Sequence, residues 1–495
     1  MSRETPGTQG LVLNEPLVFE QSVPGRRAYS LPETGVPEKS LEDIIPADFL
    51  RQEVEGLPEV SEVDVVRHYT RLSQWNYGID LGFYPLGSCT MKYNPKINED
   101  LAGLPGLCQV HPYQGERLSQ GILRLMYELQ QMLAEIVGLK GVSLQPSAGA
   151  HGELTGMLMI RAFHAERGAP RKKVIIPDSA HGTNPASSAL CNYQPVSLKS
   201  DERGLISSEA LAAAMDQEVA ALMLTNPNTL GLFERDIVKL ARIVHSKGGL
   251  VYCDGANLNA LVGITRFGDM GVDVVHINLH KTFSTPHGGG GPGAGPIAVN
   301  ENLIPYLPVP TVEKEADRYV LCYDHPKSIG RVRAFYGSLG VLLRAYAYIL
   351  SMGPEGVRRA SEVAVINANY IRAKLKKSYH LPYDRICKHE CVFSDRLQNL
   401  HGVQTVHIAK RLMDYGFHPP TIYFPLIVRG ALMIEPTETE SKETLDRFVS
   451  AMEAIARESQ EDPDLVLQAP HKTKAARLDE TQAARSPHLT WTDVG

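Results

Sequence analysis

Apolar side chains recur every three or four positions through Leu118, Ile122, Leu125, Leu129, Met132, Leu133 and Ile136, and Gly138 follows them. The spacing predicts an amphipathic helix whose apolar stripe is core and whose end is a glycine cap. A shorter helix is expected to start at Ser61-Glu62-Val63-Asp64, which has the form of a capping box, with Val65, Val66, Tyr69 and Leu72 at helical spacing behind it. Residues 1–60 are rich in Pro, Gly and Glu and show little periodicity. They read as an extended arm that wraps the body or a neighbour, or as a disordered tail.

From about residue 140 the pattern becomes strand, loop, helix, repeated. Short apolar runs at 141–144, 174–176, 220–224, 249–253, 272–279 and 297–299 read as strands, and 153–166 and 234–245 as helices. This alternation predicts an α/β domain around one parallel sheet, with a helical crossover between Asp254 and Lys281. Residues 301–330 read as irregular and Pro-rich, a lobe boundary. A helical stretch opens at 330–337 and a long helix runs through 363–375. The second lobe mixes strands near Val392 and at 432–435 with helices at 409–415 and around Leu445, Phe448, Met452 and Ile455. The expected domains are an arm and helix at 1–80, a large domain at 81–330, a small α/β domain at 331–470 and a polar tail at 471–495.

Composition narrows the classes. The chain has 495 residues, 43% hydrophobic and 21% charged, with a formal net charge of −6. That length calls for more than one lobe, and the mild acidity argues against nucleic acid as a main partner. No apolar run is long enough to span a bilayer. The stretch MSRETPGTQG resembles neither a secretory nor a transit peptide. Seven cysteines without a CxxC pair fit a reduced cytoplasm.

Candidate chemistry gathers where the strands end. Lys281 follows the run 272–279 and precedes four glycines, Gly288 to Gly291. A lysine buried there is desolvated, which favours the neutral, nucleophilic amine that forms Schiff bases; a surface lysine beside a glycine-rich linker is the plain alternative. The loop QPSAGAHG places small residues, Ala148 and Gly149 among them, before a helix whose free N–H groups suit an anion, or simply make a tight turn. His181, Asn226 and Asp254 each follow a strand. The polar loop LGFYPLGSCTMKYNP, 81–95, could line a site or be a structural turn. Anion cradle, histidine, asparagine, aspartate and lysine at the ends of strands in one sheet are the parts a pyridoxal phosphate site needs.

With these residues in hand, the chain resembles the P-protein family of the glycine cleavage system, the decarboxylating glycine dehydrogenases, in the lysine-bearing second subunit of the two-subunit bacterial form. The matching stretches are YPLGSCTMKYNP, QPSAGAHGE, SAHGTNPAS, TNPNTLG, CDGANLNA, INLHKTFSTPHGGGGPG, GRVRAFYG, HPPTIYFPLIV and EPTETES. Cys391, in HECVFS, stands where the family has an aromatic. The resemblance implies the aspartate aminotransferase fold of pyridoxal-phosphate-dependent transferases, with a large mixed-sheet domain and a smaller C-terminal α/β domain. It implies decarboxylation of glycine and transfer of the aminomethyl group to the lipoyl arm of H-protein, with a homologous subunit 1 as partner and two copies of each subunit. By the same resemblance Lys281 holds pyridoxal 5'-phosphate covalently, Asp254 keeps the ring nitrogen protonated and His181 stacks on the ring. Ala148, Gly149 and His280 serve the phosphate, Asn226 the phenolic oxygen, and Ala256 packs on the second ring face. No metal is expected.

Two other readings fit less well. An aminotransferase on this fold would need an arginine clamp, for which Arg331 and Arg333 are the candidates, and a desulfurase would need a mobile cysteine. A silent scaffold subunit would not need Lys281.

Overall fold

A computed structural model describes residues 15–28, 30–51, 56–288, 293–473 and 476–489. The stretch MSRETPGTQG, Gly289 to Gly291 of the glycine run and the end of the polar tail lie outside the described residues. The chain forms two compact units, 1–81 with 472–495, and 82–471. The first has short 3-10 turns at Val18–Gln21, Leu41–Asp43 and Ala47–Phe49, then a helix Glu62–Ser73. Ser61 caps that helix as its sequence predicts, its hydroxyl accepting from the Asp64 N–H at 3.2 Å.

The second unit is built on a seven-stranded sheet: β1 Gly141–Ser143, β2 Lys173–Pro177, β3 Gln194–Leu198, β4 Val219–Thr225, β5 Leu250–Gly255, β6 Val274–Ile277 and β7 Ile297–Val299. Their order is β1-β7-β6-β5-β4-β2-β3. β4 is buried along its whole length, VAALMLT, because helices cover both faces of such a sheet and leave no polar side to alternate with. The pattern predicted one parallel sheet, but β7 runs antiparallel to both β1 and β6, which makes the sheet mixed. The crossover from β5 to β6 also differs. It holds two 3-10 turns, Leu258–Ala260 and Gly268–Met270, and no α-helix. β5 and β6 are still parallel neighbours, with Asp254 opposite His276, so Asp254 and Lys281 reach the same sheet edge.

Three further elements escaped the pattern. β3, QPVSL, is mostly exposed and carries Pro195, so it has no apolar run to reveal it. The region 301–330 contains a hairpin, β8 Thr311–Glu315 and β9 Arg318–Cys322, whose charged residues concealed it. The long helix extends over Leu339–Leu375, interrupted at Gly353, whose φ of 61° precedes Pro354. Beyond it β10 Cys391–Ser394, β11 Thr421–Ile422 and β12 Ala431–Ile434 form an antiparallel sheet in the order β10-β12-β11. Helices Thr405–Asp414 and Lys442–Glu461 accompany this sheet. Phe393, Leu432, Phe448 and Ile455 are fully buried there, each contributing about 1.5–3 kcal/mol.

The amphipathic helix spans Glu116–Val137. Ile122, Leu129 and Leu133 are buried, whereas Leu118, in its first turn, is exposed. Gly138 has φ 70° and its N–H donates to Ala134 O at 2.8 Å. A Cβ there would stand 2.9 Å from that of Arg266. Gly138→Ala is expected to destabilise the protein by about 1–2 kcal/mol, seen as a lower midpoint in urea; an unchanged midpoint would contradict the cap.

Candidate active site

Lys281 lies in a single helical turn, Leu279–Thr282, immediately after β6. It is buried, and its amine donates to Ser88 O at 2.7 Å. Lys92 is the other buried lysine nearby, and its amine is fully occupied: it donates to Glu438 Oε1 (2.7 Å), Thr282 O (2.7 Å), Asn259 Oδ1 (3.0 Å) and Tyr348 OH (3.4 Å). Burial opposes its charge, yet Glu438 and Tyr348 outweigh burial and hold its pKa above the ordinary value. Lys92 is therefore a strut that fixes the far end of the Lys281 turn.

Asp254 ends β5 with almost no exposure. Its Oδ1 accepts from the Ala256 N–H at 2.9 Å and lies 3.2 Å from His276 Nε2, while Tyr252 OH holds His276 Nδ1 at 2.7 Å. The Asn184 amide, with its nitrogen turned to the carboxylates, donates to Asp254 Oδ2 (3.1 Å) and Glu153 Oε2 (3.3 Å). Burial pushes the Asp254 pKa up, but His276 and His181 more than offset it and hold the carboxyl below its usual range. Glu153 moves the other way, raised by burial and by Asp254 itself. The surroundings thus favour the charged form of Asp254 and oppose that of Glu153, as expected for like charges at close range.

His181 follows β2. Its backbone N–H donates to Thr225 Oγ1 at 3.0 Å, and its ring Nε2 meets Ser88 Oγ at 2.5 Å. Burial lowers its pKa to about 4, so a flat, neutral imidazole stands at the sheet edge. Unfolded, it would titrate near 6.5; its contribution to stability is thus present above about pH 6.5 and lost as the pH falls toward about 4. Its labelled imidazole signals are expected to stay in the neutral form down to about pH 5, and a transition near the ordinary value would contradict this environment.

A cradle forms where three segments meet. The helix Gly149–Glu166 begins at the loop predicted to hold an anion, with Ala148 as its N-cap. Gly295 N donates to Pro146 O at 3.0 Å, and a Cβ on Gly295 would stand 1.9 Å from Ala148 O. A Cβ on Gly149 would come within 2.6 Å of Asn278 Oδ1, a buried atom with no partner. His280 Nδ1 approaches Ala294 O at 3.2 Å, and burial, then His287 and Lys281, lower its pKa to about 3. His280 can thus offer a neutral imidazole only. Asn226 follows β4: its Oδ1 accepts from Glu234 N at 3.0 Å, and its buried Nδ2 has no acceptor.

These groups fit a phosphorylated pyridine aldehyde. The helix N-terminus offers free N–H donors to an anion, Asp254 is a charged carboxylate for a ring nitrogen, Asn226 Nδ2 is a donor without an acceptor, and Lys281 supplies the amine. Ala256, expected on the second ring face, gives its N–H to Asp254 Oδ1. His276, Asn184 and Ser88 carried no role in the sequence, nor did Glu390 and Glu435, whose Oε2 atoms accept from the Ser88 N–H at 2.7 Å and the Thr90 N–H at 3.0 Å. His276 left a trace, a polar residue in the middle of a buried strand; Ser88 lay in the loop 81–95 that was singled out without roles. Cys89, in the same loop, has its thiol pKa pushed up by burial, which disfavours a thiolate nucleophile.

The sequence and the fold have relatives among known proteins. Residues 33–319 match the family described as "Glycine cleavage system P-protein", and residues 360–474 match "Glycine dehydrogenase, C-terminal domain". A probable glycine dehydrogenase (decarboxylating) subunit 2 of Caldanaerobacter subterraneus subsp. tengcongensis is 60% identical, covering 96% of this chain and 98% of its own. The protein of the same description from Halalkalibacterium halodurans is 59% identical, covering 97% and 99%. A crystal structure of a glycine decarboxylase (P-protein), in inhibitor-bound form, superposes with a TM-score of 0.72 at 21% identity, over 84% of this chain and 94% of that one. A cysteine desulfurase of Thermococcus onnurineus has a TM-score of 0.61 at 16% identity, over 78% and 98%, a likeness of fold.

Proposed function

Since the chain belongs to the family of glycine cleavage system P-proteins, as its subunit 2, we propose that Lys281 holds pyridoxal phosphate covalently at the edge of the seven-stranded sheet and that the complex passes glycine's aminomethyl group to a lipoyl arm. The reaction is the pyridoxal-phosphate-dependent decarboxylation of glycine. The observation that carries the site assignment is the meeting of Lys281, Asp254 and His181 at that edge, with the Lys281 amine making one hydrogen bond, to Ser88 O. No helix among the described residues is long and apolar enough to cross a membrane.

When bound, the cofactor supplies an electron sink for the pair left on carbon as the carboxylate departs. The chain's residues make that sink effective. Asp254 holds a proton on the ring nitrogen, and His276, the Ala256 N–H and Asn184 keep that carboxylate charged and aimed. His181, neutral, would stack on the ring. Gly149 and the first N–H groups of its helix would receive the phosphate, with Ala148 shaping the entry and His280 as a neutral hydrogen-bonding partner. Asn226 Nδ2 would donate to the phenolic oxygen. The large domain runs over 81–330 and the small one over 331–470 in this reading.

The relatives are named as subunit 2, which implies a subunit 1. The arm supports a partner surface, for Leu31, Val36, Leu41, Ile44, Phe49 and Leu57 are exposed. A complex of two copies of each subunit, served by lipoylated H-protein, completes the proposal. Two measurements test it. Borohydride reduction and digestion should place the cofactor on the peptide containing Lys281; label on Lys92 would end the assignment. This chain alone should exchange bicarbonate carbon into glycine poorly, and adding subunit 1 should restore exchange; full activity from the chain by itself would remove the partner's role.

A further inference from the structure

Outside the candidate active site, the hairpin of β8 and β9 gathers a carboxylate, a thiol and an imidazole. The two strands pair with Thr311 opposite Cys322 and Glu313 opposite Val320. Opposite residues share a face of a hairpin, as do alternate residues of one strand. Thr311, Glu313 and Cys322 therefore stand on one face, while Val312 and Leu321 turn the other toward the main core. The helix Glu116–Val137 holds the hairpin in place. Gln120 bonds both the N–H and the O of Tyr319, at 2.9 and 2.7 Å, and Glu116 Oε1 accepts from Leu321 N at 2.9 Å.

His325 follows β9 and folds back over the first face. Its Nε2 lies 3.2 Å from Glu313 Oε1 and 3.0 Å from Thr311 Oγ1, and the Thr311 hydroxyl donates to Glu313 Oε1 at 2.8 Å. A Glu313 oxygen, the Cys322 sulfur and a His325 ring nitrogen all lie within 4.8 Å of one another. Tetrahedral ligands at about 2.0–2.3 Å from one ion stand about 3.3–3.8 Å apart. Glu313 and His325 are close to that spacing already, and the sulfur needs a shift of about 1 Å to join them. Two residues separate Cys322 from His325, a short interval that lets one chain turn offer two ligands to one ion. Within that interval the Asp324 N–H donates to the Cys322 sulfur, a bond that favours the thiolate.

We propose that Glu313, Cys322 and His325 bind one divalent cation of the zinc class, with the Thr311 hydroxyl or a water completing a tetrahedron. Carboxylate and thiolate balance the two charges of the ion. The thiolate and imidazole select against Mg2+ and Ca2+, which take oxygen ligands. On binding, the S–H bond of Cys322 breaks, a metal–sulfur bond forms and the proton leaves to solvent. Burial pushes the Glu313 carboxyl up, but its hydrogen bonds with Thr311, His325 and Cys322 hold it below the ordinary range, so it waits as an anion. The bound ion staples both strands of the hairpin to the connector that follows β9. The sequence gave no expectation of a metal because Glu313 and Cys322 come from different strands, and only their register brings them together.

The test needs no cofactor and does not depend on Lys281. The full-length chain in complex with subunit 1, stripped with a chelator and kept reduced, is titrated with Co2+ and then with Zn2+. Co2+ should produce a sulfur-to-cobalt charge-transfer band together with the strong visible bands of a tetrahedral ion, and Zn2+ should displace it. Cys322→Ser in this chain should abolish the charge-transfer band. His325→Ala and Glu313→Gln should each weaken binding at least about tenfold. Cys108→Ser, at an exposed cysteine, should change nothing. No charge-transfer band in the unaltered complex, a band that survives Cys322→Ser, or one lost with Cys108→Ser would overturn the site. Should Cys322→Ser fail to fold, unchanged affinity in His325→Ala would overturn it equally, since the trio would then be only a hydrogen-bonded cluster.

Discussion

Lys281→Ala is expected to leave the complex without a borohydride-fixable cofactor and to lower the exchange of bicarbonate carbon into glycine by about four decades or more, some 5 kcal/mol of barrier at about 1.4 kcal/mol per decade. The size of the effect follows from position. The Lys281 amine gives its hydrogen bond to Ser88 O, whereas Lys92 is committed to four partners, the ion-paired Glu438 among them. The fold should survive the change, since truncation leaves one buried acceptor, Ser88 O, without its donor, at about 1–3 kcal/mol. A variant that retains the protonated-imine absorbance would show that another lysine holds the cofactor.

Asp254→Asn is expected to cost two to four decades in decarboxylation and much less in glycine binding. A carboxylate in hydrogen-bond reach of a cationic nitrogen is attracted by roughly 5 kcal/mol at an effective dielectric of about 20, and part of this is felt only as charge develops in the ring. The substitution keeps shape and removes charge, so His276 and Asn184 lose the anion they surround. A rate within about threefold of the unaltered enzyme would remove Asp254 from this role.

Lys281, Asp254 and His181 were legible in the sequence because each follows a buried apolar run, and parallel connection rules send such residues to one edge. The same rules gave the wrong crossover, since 3-10 turns between β5 and β6 carry no helical period. β3 stayed hidden because an edge strand need not be apolar, and the hairpin of β8 and β9 because its residues are charged. Glu390 and Glu435 stand in the quoted stretches HECVFS and EPTETES, but no local window shows what they hold. Their partners, Ser88 and Thr90, are 302 and 345 positions away, and periodicity is silent about contacts of that span. Ala256 was placed by resemblance, and its backbone contact with Asp254 is a detail that only coordinates supply.

Those two long spans set an order of events during synthesis. The loop 82–95 is made early, but the carboxyls that hold Ser88 and Thr90 in place arrive only with β10 and the residue after β12. Closing a loop of that length costs about 2 kcal/mol more than closing one a tenth as long, so these contacts form after the local helices and the parallel strands have condensed. A nascent chain ending before residue 435 can contain Lys281, Asp254 and His181 and still lack the strap that receives the lysine amine. Cofactor capture would then mark the last stage of maturation, a chemical signal that the final strand has docked.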